Sequence, residues 1–549
     1  MGRWDRYWFA EGGRLGLACV RIAVAVSALW VLAKIAALPD ALVAPREVYR
    51  AVGIWHLLGG ALPPAELVTA LWWIAGVSTA AMLLGVRTRT AVAISAVSVI
   101  ALASLVYSGM PTWKHSYNVV LVAQLALLGG HAGDTLSLDA LLRRLRRQPV
   151  LDRARAYQWS IRLVQLAVAL MFAGAAFHKI AQGHFTLRWA LSDSLRNHLL
   201  IRFDLANLPR PPVAAWLVDS VWRYRLVALL NLASQLAPLV AVVWIRRPLV
   251  RAAAGLCFVA ECLGLGLVVA LWDLQWLPLY AAFIDWDALF GRLSRRPAPP
   301  ALPDLQLPRP APFVPPRGPR RYVIAFVAYD VLCSFVPTLA QRLQTYPFTS
   351  YPMFSQIRAN PPYDEHVAYG VPGDRFEALA SEPIPANVTY FLDHVNRGAY
   401  ASPTSRELQA RLGAILAVAQ TRYPGLGWLG LRHRLSLFVA PPYPAPAHLE
   451  ENGITITGEL AVDGTFRALL GSLHGATLTL DPQHLDVTGD VRFQYYADDM
   501  PEPHDLPATR TGPASFELAG LTADPVYVVA LVDGQPWLAA ARRSWRWGR

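Results

Sequence analysis

Three lysines occur in 549 residues, and two of them stand beside a histidine. Lys114 precedes His115 in the stretch WKHSYN, Lys179 follows His178 at the end of the apolar run LMFAGAAFHKI, and the third is Lys34. Basic positions elsewhere are arginine, whose guanidinium keeps its proton at any usable pH. A lysine amine in apolar surroundings gives its proton up far more readily, and a neutral amine is a general base. A role that needs such a base rejects arginine, so the surviving lysines mark candidate base positions with imidazoles as proton partners. The plainer use of a lysine near the end of an apolar segment is to lay its stem along hydrocarbon and extend its ammonium to the headgroups. That reading competes at Lys179 and is preferred at Lys34; for His115 the plain alternative is a satisfied histidine at a helix N-terminus.

Other chemistry-bearing residues are few. Glu261, in AECLGLG, is an ionisable group inside an apolar run, able to pair with Lys179, to shuttle a proton or to partner an arginine. His184 and His198 fall in a loop rich in Arg and Trp and read as interfacial. Cys19, Cys257, Cys262 and Cys333 all lie in apolar segments without the spacing of a zinc site or a disulfide framework, and read as packing. No His/Asp/Glu spacing supports a metal.

The elements that must position these residues follow from composition. The chain is 54% hydrophobic and 16% charged, with a mean hydropathy of +0.32, which is the make-up of a membrane protein. The net charge of +12 is gathered in short arginine clusters between apolar runs rather than along one polar face, which argues against nucleic acid as a partner. A membrane crossing takes about 20 apolar residues. Segments 16–38, 65–86, 90–108, 157–181, 225–245, 252–272 and 321–341 qualify or nearly so, and 116–130 and 274–286 are shorter and read as short or re-entrant. The Trp-rich MGRWDRYWFAEGGRLGL reads as an interfacial lead into a retained anchor. With nine crossings, every arginine cluster falls on the cytoplasmic side, including Arg3, Arg6 and Arg14, Arg87 and Arg89, and the six between Arg143 and Arg155.

The expected fold class is therefore a polytopic α-helical membrane protein of about nine hydrophobic segments with a C-terminal extracytoplasmic, mostly β domain. Residues 1–344 form the membrane part, with a proline-rich cytoplasmic linker at 297–320 before the last span, and 345–549 the exterior α+β part. There, 405–423 reads as an amphipathic helix with Leu408, Leu412, Ile415, Leu416 and Ala419 on one face. From about 435 onward, ITITGELAV, ATLTLDPQHLDVTGDVRFQYY, ASFELAG and VYVVALVDGQPWLAA alternate in twos between turn residues, as antiparallel strands do. The aromatic run LWDLQWLPLYAAFIDW, with Asp285 and Asp287, reads as a membrane interface, and less readily as the lining of a quinone site. No internal repeat of 20–50 residues is visible.

One resemblance joins these features. WKHSYN, the apolar helix and Arg-rich loop after it, LMFAGAAFHKI and the Trp-containing FTLRWALSDSLRNHLL follow in an order similar to the HTTM membrane domain of vitamin K-dependent γ-glutamyl carboxylases. That family carries N-H-S-Y in the first motif and A-G-x-K-K-L-x-x-x-W in the second. The resemblance covers roughly residues 5–345, and YPFTSYPMFS after the last span is similar to the family's exit from the membrane. It implies that Lys179 is the base lysine and His115 the histidine partner, with His178, Lys114 and Glu261 as accessory candidates. Where the family has a histidine followed by cysteine, this chain has Glu261 and Cys262. The resemblance further implies a reduced vitamin K or menaquinone-type quinone, O2 and CO2 as cofactors, no metal, and proton abstraction from an unidentified acceptor such as an exterior peptide or protein. The expected location is the plasma membrane, multi-pass, with a cytoplasmic N-terminus. The alternative is a non-catalytic module that binds a lipid or quinone, or moves a solute, with the β domain recruiting an exterior partner.

Overall fold

A computed structural model describes residues 2–36, 51–108, 115–148, 154–205, 209–244, 247–293, 315–340, 346–349, 351, 357, 362–369, 430–439, 450–461, 466–482, 486–497, 503–521 and 526–542. In chain order, the helices that build its apolar body are α1 (Arg14–Ala36), α2 (Ala65–Leu84), α3 (Thr88–Ser108), α4 (Asn118–Ala126), α5 (Leu138–Leu145), α6 (Ala154–Gln182), α7 (Val221–Val243), α8 (Pro248–Val269) and α9 (Arg317–Ala340). Among the described residues six helices are long and apolar enough to cross a membrane: α1, α2, α3, α6, α7 and α8. α9 has 24 residues but carries Arg320, Arg321 and Asp330 and is not among the six.

The two short segments fall below the length of a span. α4 has nine residues and rises about 14 Å at 1.5 Å per residue, roughly half the hydrocarbon thickness. Segment 274–286 contains a ten-residue 3₁₀ helix, Leu274–Phe283, about 20 Å long. Both are apolar because protein encloses them: Val119 to Ala123, Trp276 and Leu279 are buried. The expected nine crossings therefore become six helices that qualify, with α9 beside them. The first turn of α9 also takes over the end of the expected linker, from Arg317. The rest of that linker, to residue 314, and the expected helix at 405–423 lie outside the described residues.

α6 is the hub. Of its apolar stretch 94% is buried, and it packs against α1, α4, α7 and α9. α2 and α7 are peripheral and turn Trp73 and Val77, and Trp222 and Leu230, outward. Polar side chains pin helices to one another where apolar contact gives no direction. Thr79 Oγ1 lies 2.8 Å from Ser95 Oγ, which also accepts from Gln124 Nε2 at 2.8 Å, joining α2, α3 and α4. Arg21 of α1 is fully buried and donates to the carbonyl oxygens of Ala132, at 2.7 Å, and Leu136. Gly85, at φ +70°, ends α2 beside this arginine; a Cβ there would meet Ser137 Cβ at 2.2 Å.

The N-terminal lead is less interfacial than its composition suggested. Trp8 and Phe9 are buried, Tyr7 donates its hydroxyl to the Val242 carbonyl at 2.6 Å, and the Arg162 guanidinium lies over the Tyr7 ring at 4.5 Å.

From residue 362 the described elements are strands, all paired antiparallel in one seven-stranded and one four-stranded sheet. Alternate residues of Thr477–Pro482 and Ser515–Leu518 meet those of Val491–Ala497 and Val526–Val532 in one core of Leu478, Leu480, Phe493, Phe516, Leu518 and Val528. Two tight turns fix register. Asp533-Gly534, both at positive φ, closes Val526–Val532 onto Gln535–Arg542, and Gly475 at φ +61° opens the two-residue turn between His474 and Thr477.

Candidate functional site

Lys179 sits one turn before α6 ends and is 2% exposed. Its Nζ donates to Asn231 Oδ1 at 2.9 Å and Gln235 Oε1 at 3.0 Å, both on α7, and lies 4.7 Å from the centre of the Trp189 ring. Glu261 of α8 stands on the far side of the same amides. Its Oε1 accepts from Asn231 Nδ2 at 2.5 Å and Gln235 Nε2 at 2.8 Å, and its Oε2 from Ser234 Oγ at 2.7 Å. An ammonium only donates and an ionised carboxylate only accepts, so each amide bridges them in a single orientation. Asn231, Ser234 and Gln235 are spaced i, i+3 and i+4, which is one face of a helix. Pro238 on the next turn has no N–H, so the Ser234 carbonyl lacks its helical donor beside this polar face.

Next to Lys179 in the chain, His178 points elsewhere. It is fully buried, within electrostatic reach of both Lys179 and His115. His115 occupies the turn leading into α4. Its Nδ1 is closed off from solvent, and that burial pushes the imidazole down to about 4, leaving it neutral at physiological pH. Tyr351 meets it edge-on at 5.7 Å; two residues on, Tyr117 stacks on Tyr107 at 5.8 Å, and Tyr346 meets Tyr107 at 5.3 Å.

A second set of polar contacts secures the turn that carries His115. The Ser116 carbonyl accepts from Trp276 Nε1 at 2.7 Å and Gln275 Nε2 at 3.1 Å. Gln275 Nε2 also reaches Asp273 Oδ1 at 2.7 Å, which pairs with Lys34 Nζ at 3.3 Å. Lys34, about one-third exposed near the end of α1, thus has an ion-pair partner in addition to the headgroup position expected for it. Trp276 and Gln275, expected to mark an interface, are both about 1% exposed and brace the loop instead. Asp285 fits the expected boundary better; it pairs with Arg251 at 3.4 Å and is partly exposed.

The structure brings Lys179 and Glu261 together through two amides, brings His178 and His115 within electrostatic reach, and connects the pairs by the adjacency of 178 and 179. The hydrogen bonds of Lys179 run to α7 rather than to His115. Lys114 lies outside the described residues. His184 is exposed, in a turn at φ +53°.

Sequence reasoning passed over Asn231, Ser234 and Gln235, although a polar stripe at helical spacing inside VALLNLASQLAPLV was there to be seen. It also passed over Asp330 of α9. That carboxyl is 4% exposed, its Oδ2 has no hydrogen-bond partner among the described residues, and Ser334, one turn on, is fully buried with its hydroxyl in the same condition. Tyr351 lies within electrostatic range of Asp330, which links the acid to the aromatic surroundings of His115. Burying a carboxylate without a donor costs free energy that a neutral isostere avoids. Asp330→Asn is accordingly expected to raise stability by about 1 kcal/mol or more, read as a higher thermal midpoint in detergent; a lowered midpoint would mean that the carboxylate has a stabilising partner.

No family model matches the chain, and no curated protein and no solved structure matches it either.

Proposed function

We propose that the chain is a membrane enzyme of the HTTM type, similar to vitamin K-dependent carboxylases, in which Lys179 acts as the base on a reduced naphthoquinone and His115 as its partner. The observation that carries this reading is a lysine in the interior of an apolar bundle whose hydrogen bonds, among the described residues, go to the neutral amide oxygens of Asn231 and Gln235 rather than to a carboxylate. His178 adjoins it and lies within electrostatic reach of His115, which meets the Tyr351 ring edge-on.

A reduced naphthoquinone bound here would supply the oxidation chemistry, with dioxygen as the oxidant and the 2,3-epoxide and water as products. The chain's own residues handle the protons. Lys179 Nζ takes a hydroxyl proton from the ring, Asn231 and Gln235 orient the amine, and the negative charge of Glu261, one amide away, balances the ammonium that results. His115, held neutral by burial, offers a hydrogen-bonding imidazole rather than a second positive charge. The acceptor, to be carboxylated with CO2, is in this reading an exterior peptide or protein recruited by the C-terminal β region.

A second reading is favoured by one specific observation, the completeness of the Lys179–Asn231/Gln235–Glu261 network. A charge pair that satisfies itself also serves a non-catalytic module that only binds quinone or lipid. The test is to reconstitute the wild-type protein in liposomes with reduced menaquinone or phylloquinone under air and follow the epoxide by chromatography. Protein-dependent epoxide formation is expected. Quinone that binds and is recovered unchanged would support the module, and quinone that neither binds nor turns over would remove the enzyme reading and leave the module a lipid as its ligand.

A further inference from the structure

The short helix α5, LDALLRRL, is held apart from the site described above and presents a different chemistry. Ser137 caps it, accepting from the Ala140 N–H at 2.9 Å. Leu138, Leu141, Leu142 and Leu145 recur at i, i+3, i+4 and i+7, and all four are exposed, by 41 to 70%. Arg143 and Arg144 lie in its last turn, with Arg146 and Arg147 just beyond. A helix with a leucine face and an arginine face lies in the plane of a membrane surface, apolar side toward the acyl chains.

Beside it is a cleft of about 380 Å³, where Arg89, His131, Arg143 and Arg146 converge and Leu142 forms part of the wall. Two carboxylates share this lining, but their oxygens are already engaged. Asp139 accepts from the backbone N–H groups of Arg87 at 2.8 Å and Thr88 at 2.7 Å, and from the Thr88 hydroxyl at 2.8 Å. Burial works against its charge, yet those Thr88 and Arg87 bonds and nearby Arg143 hold its carboxyl below the usual value. Asp134 accepts from Arg143 Nη1 at 2.9 Å and from the Tyr157 hydroxyl at 3.0 Å. Arg89, resting against the His131 ring at 2.8 Å, and Arg146 have no ion pair among the described residues. The cleft therefore keeps two guanidinium groups with unused capacity for an anion, and guanidinium is the side chain best matched to phosphate oxygens.

We infer that this cleft is a binding site for the phosphate headgroup of an anionic phospholipid, whose acyl chains continue over the leucine face of α5. Leu142 belongs to both the cleft wall and that face, so the charged and apolar surfaces are continuous, as a lipid requires and a free phosphate ion does not. The site is independent of any quinone chemistry.

Native mass spectrometry and thermal shift of the purified full-length protein, with phosphatidylglycerol, phosphatidylcholine or inorganic phosphate added separately, test the inference. Phosphatidylglycerol is expected to give a discrete adduct and a raised midpoint, while the other two do not. R89Q/R146Q is expected to bind phosphatidylglycerol on the order of 100-fold more weakly, about tenfold for each charged hydrogen bond to the phosphate that is lost. R144Q/R147Q makes the same charge change outside the cleft lining and is expected to bind nearly as the wild type does. Equal loss in both double variants would reduce the cleft to general surface charge and overturn the inference. So would equal binding of phosphatidylcholine, or an equal response to inorganic phosphate. All four arginines are exposed, and an unchanged circular dichroism spectrum checks that the variants fold.

Discussion

Lys179→Arg is expected to leave a folded protein in which quinone epoxidation has fallen by about 10²- to 10⁴-fold, the range that a positioned general base contributes. Arginine keeps the positive charge that the Asn231 and Gln235 oxygens accept from and that lies against the Trp189 ring. It also keeps the attraction to Glu261 across the amides. What it loses is the capacity to become a neutral base, since its guanidinium stays protonated. The comparison thus separates charge from proton transfer, two properties that removing the side chain altogether would abolish at once. A guanidinium is bulkier than an ammonium in this enclosed position, so Lys179→Gln/Glu261→Gln, smaller and with no charge left unpaired, serves as a second variant. An unchanged circular dichroism spectrum and thermal midpoint check that each variant folds. Full turnover in either folded variant would take Lys179 out of the proposed chemistry.

The path from sequence to this site was uneven, for physical reasons. Lys179 and His115 stood out because lysine is scarce here and because each sits beside another ionisable group, a property of the chain alone. The helices α1, α6, α7 and α8 were visible with ends displaced by a few residues, since a long apolar run has few other ways to fold. Hydropathy misleads at 116–130 and 274–286, because a short helix enclosed by protein needs the same side chains as one bathed in lipid. Val119 to Ala123 are buried against neighbouring helices, and their sequence does not record which apolar medium surrounds them. Lys34 shows what distance along the chain hides: its ion pair with Asp273, 239 positions away, is visible only in the fold. The amides of α7 were within reach of pattern reading but hidden by attention to titratable groups. Asn231 and Gln235 carry no charge, and they are what converts two separate ionisable residues into one network. In the β region the alternating stretches and the Asp533-Gly534 turn were legible. The strand Phe466–His474 was not singled out, since FRALLGSLH does not alternate.

Glu261→Leu is expected to destabilise the protein by about 3 to 5 kcal/mol, the cost of breaking a buried charge pair by deleting one partner. Three donors lose their acceptor at once, Asn231 Nδ2, Gln235 Nε2 and Ser234 Oγ, and a buried donor left unpaired costs about 1 to 3 kcal/mol. The ammonium of Lys179 loses its counter-charge in a region where water does not replace it. Lys179→Met is expected to cost a similar amount for the mirror-image reason, leaving the carboxylate alone behind the two amides. Because each single change strands the charge that the other would remove, the double variant Glu261→Leu/Lys179→Met is expected to be no less stable than either single. That non-additivity measures their coupling across the amide bridge without any appeal to activity. Thermal midpoints of the four proteins in one detergent, or in the same nanodisc, complete the cycle. If the two single losses simply add in the double variant, Lys179 and Glu261 do not sense each other through Asn231 and Gln235. The balancing role assigned to Glu261 would then have no energetic basis.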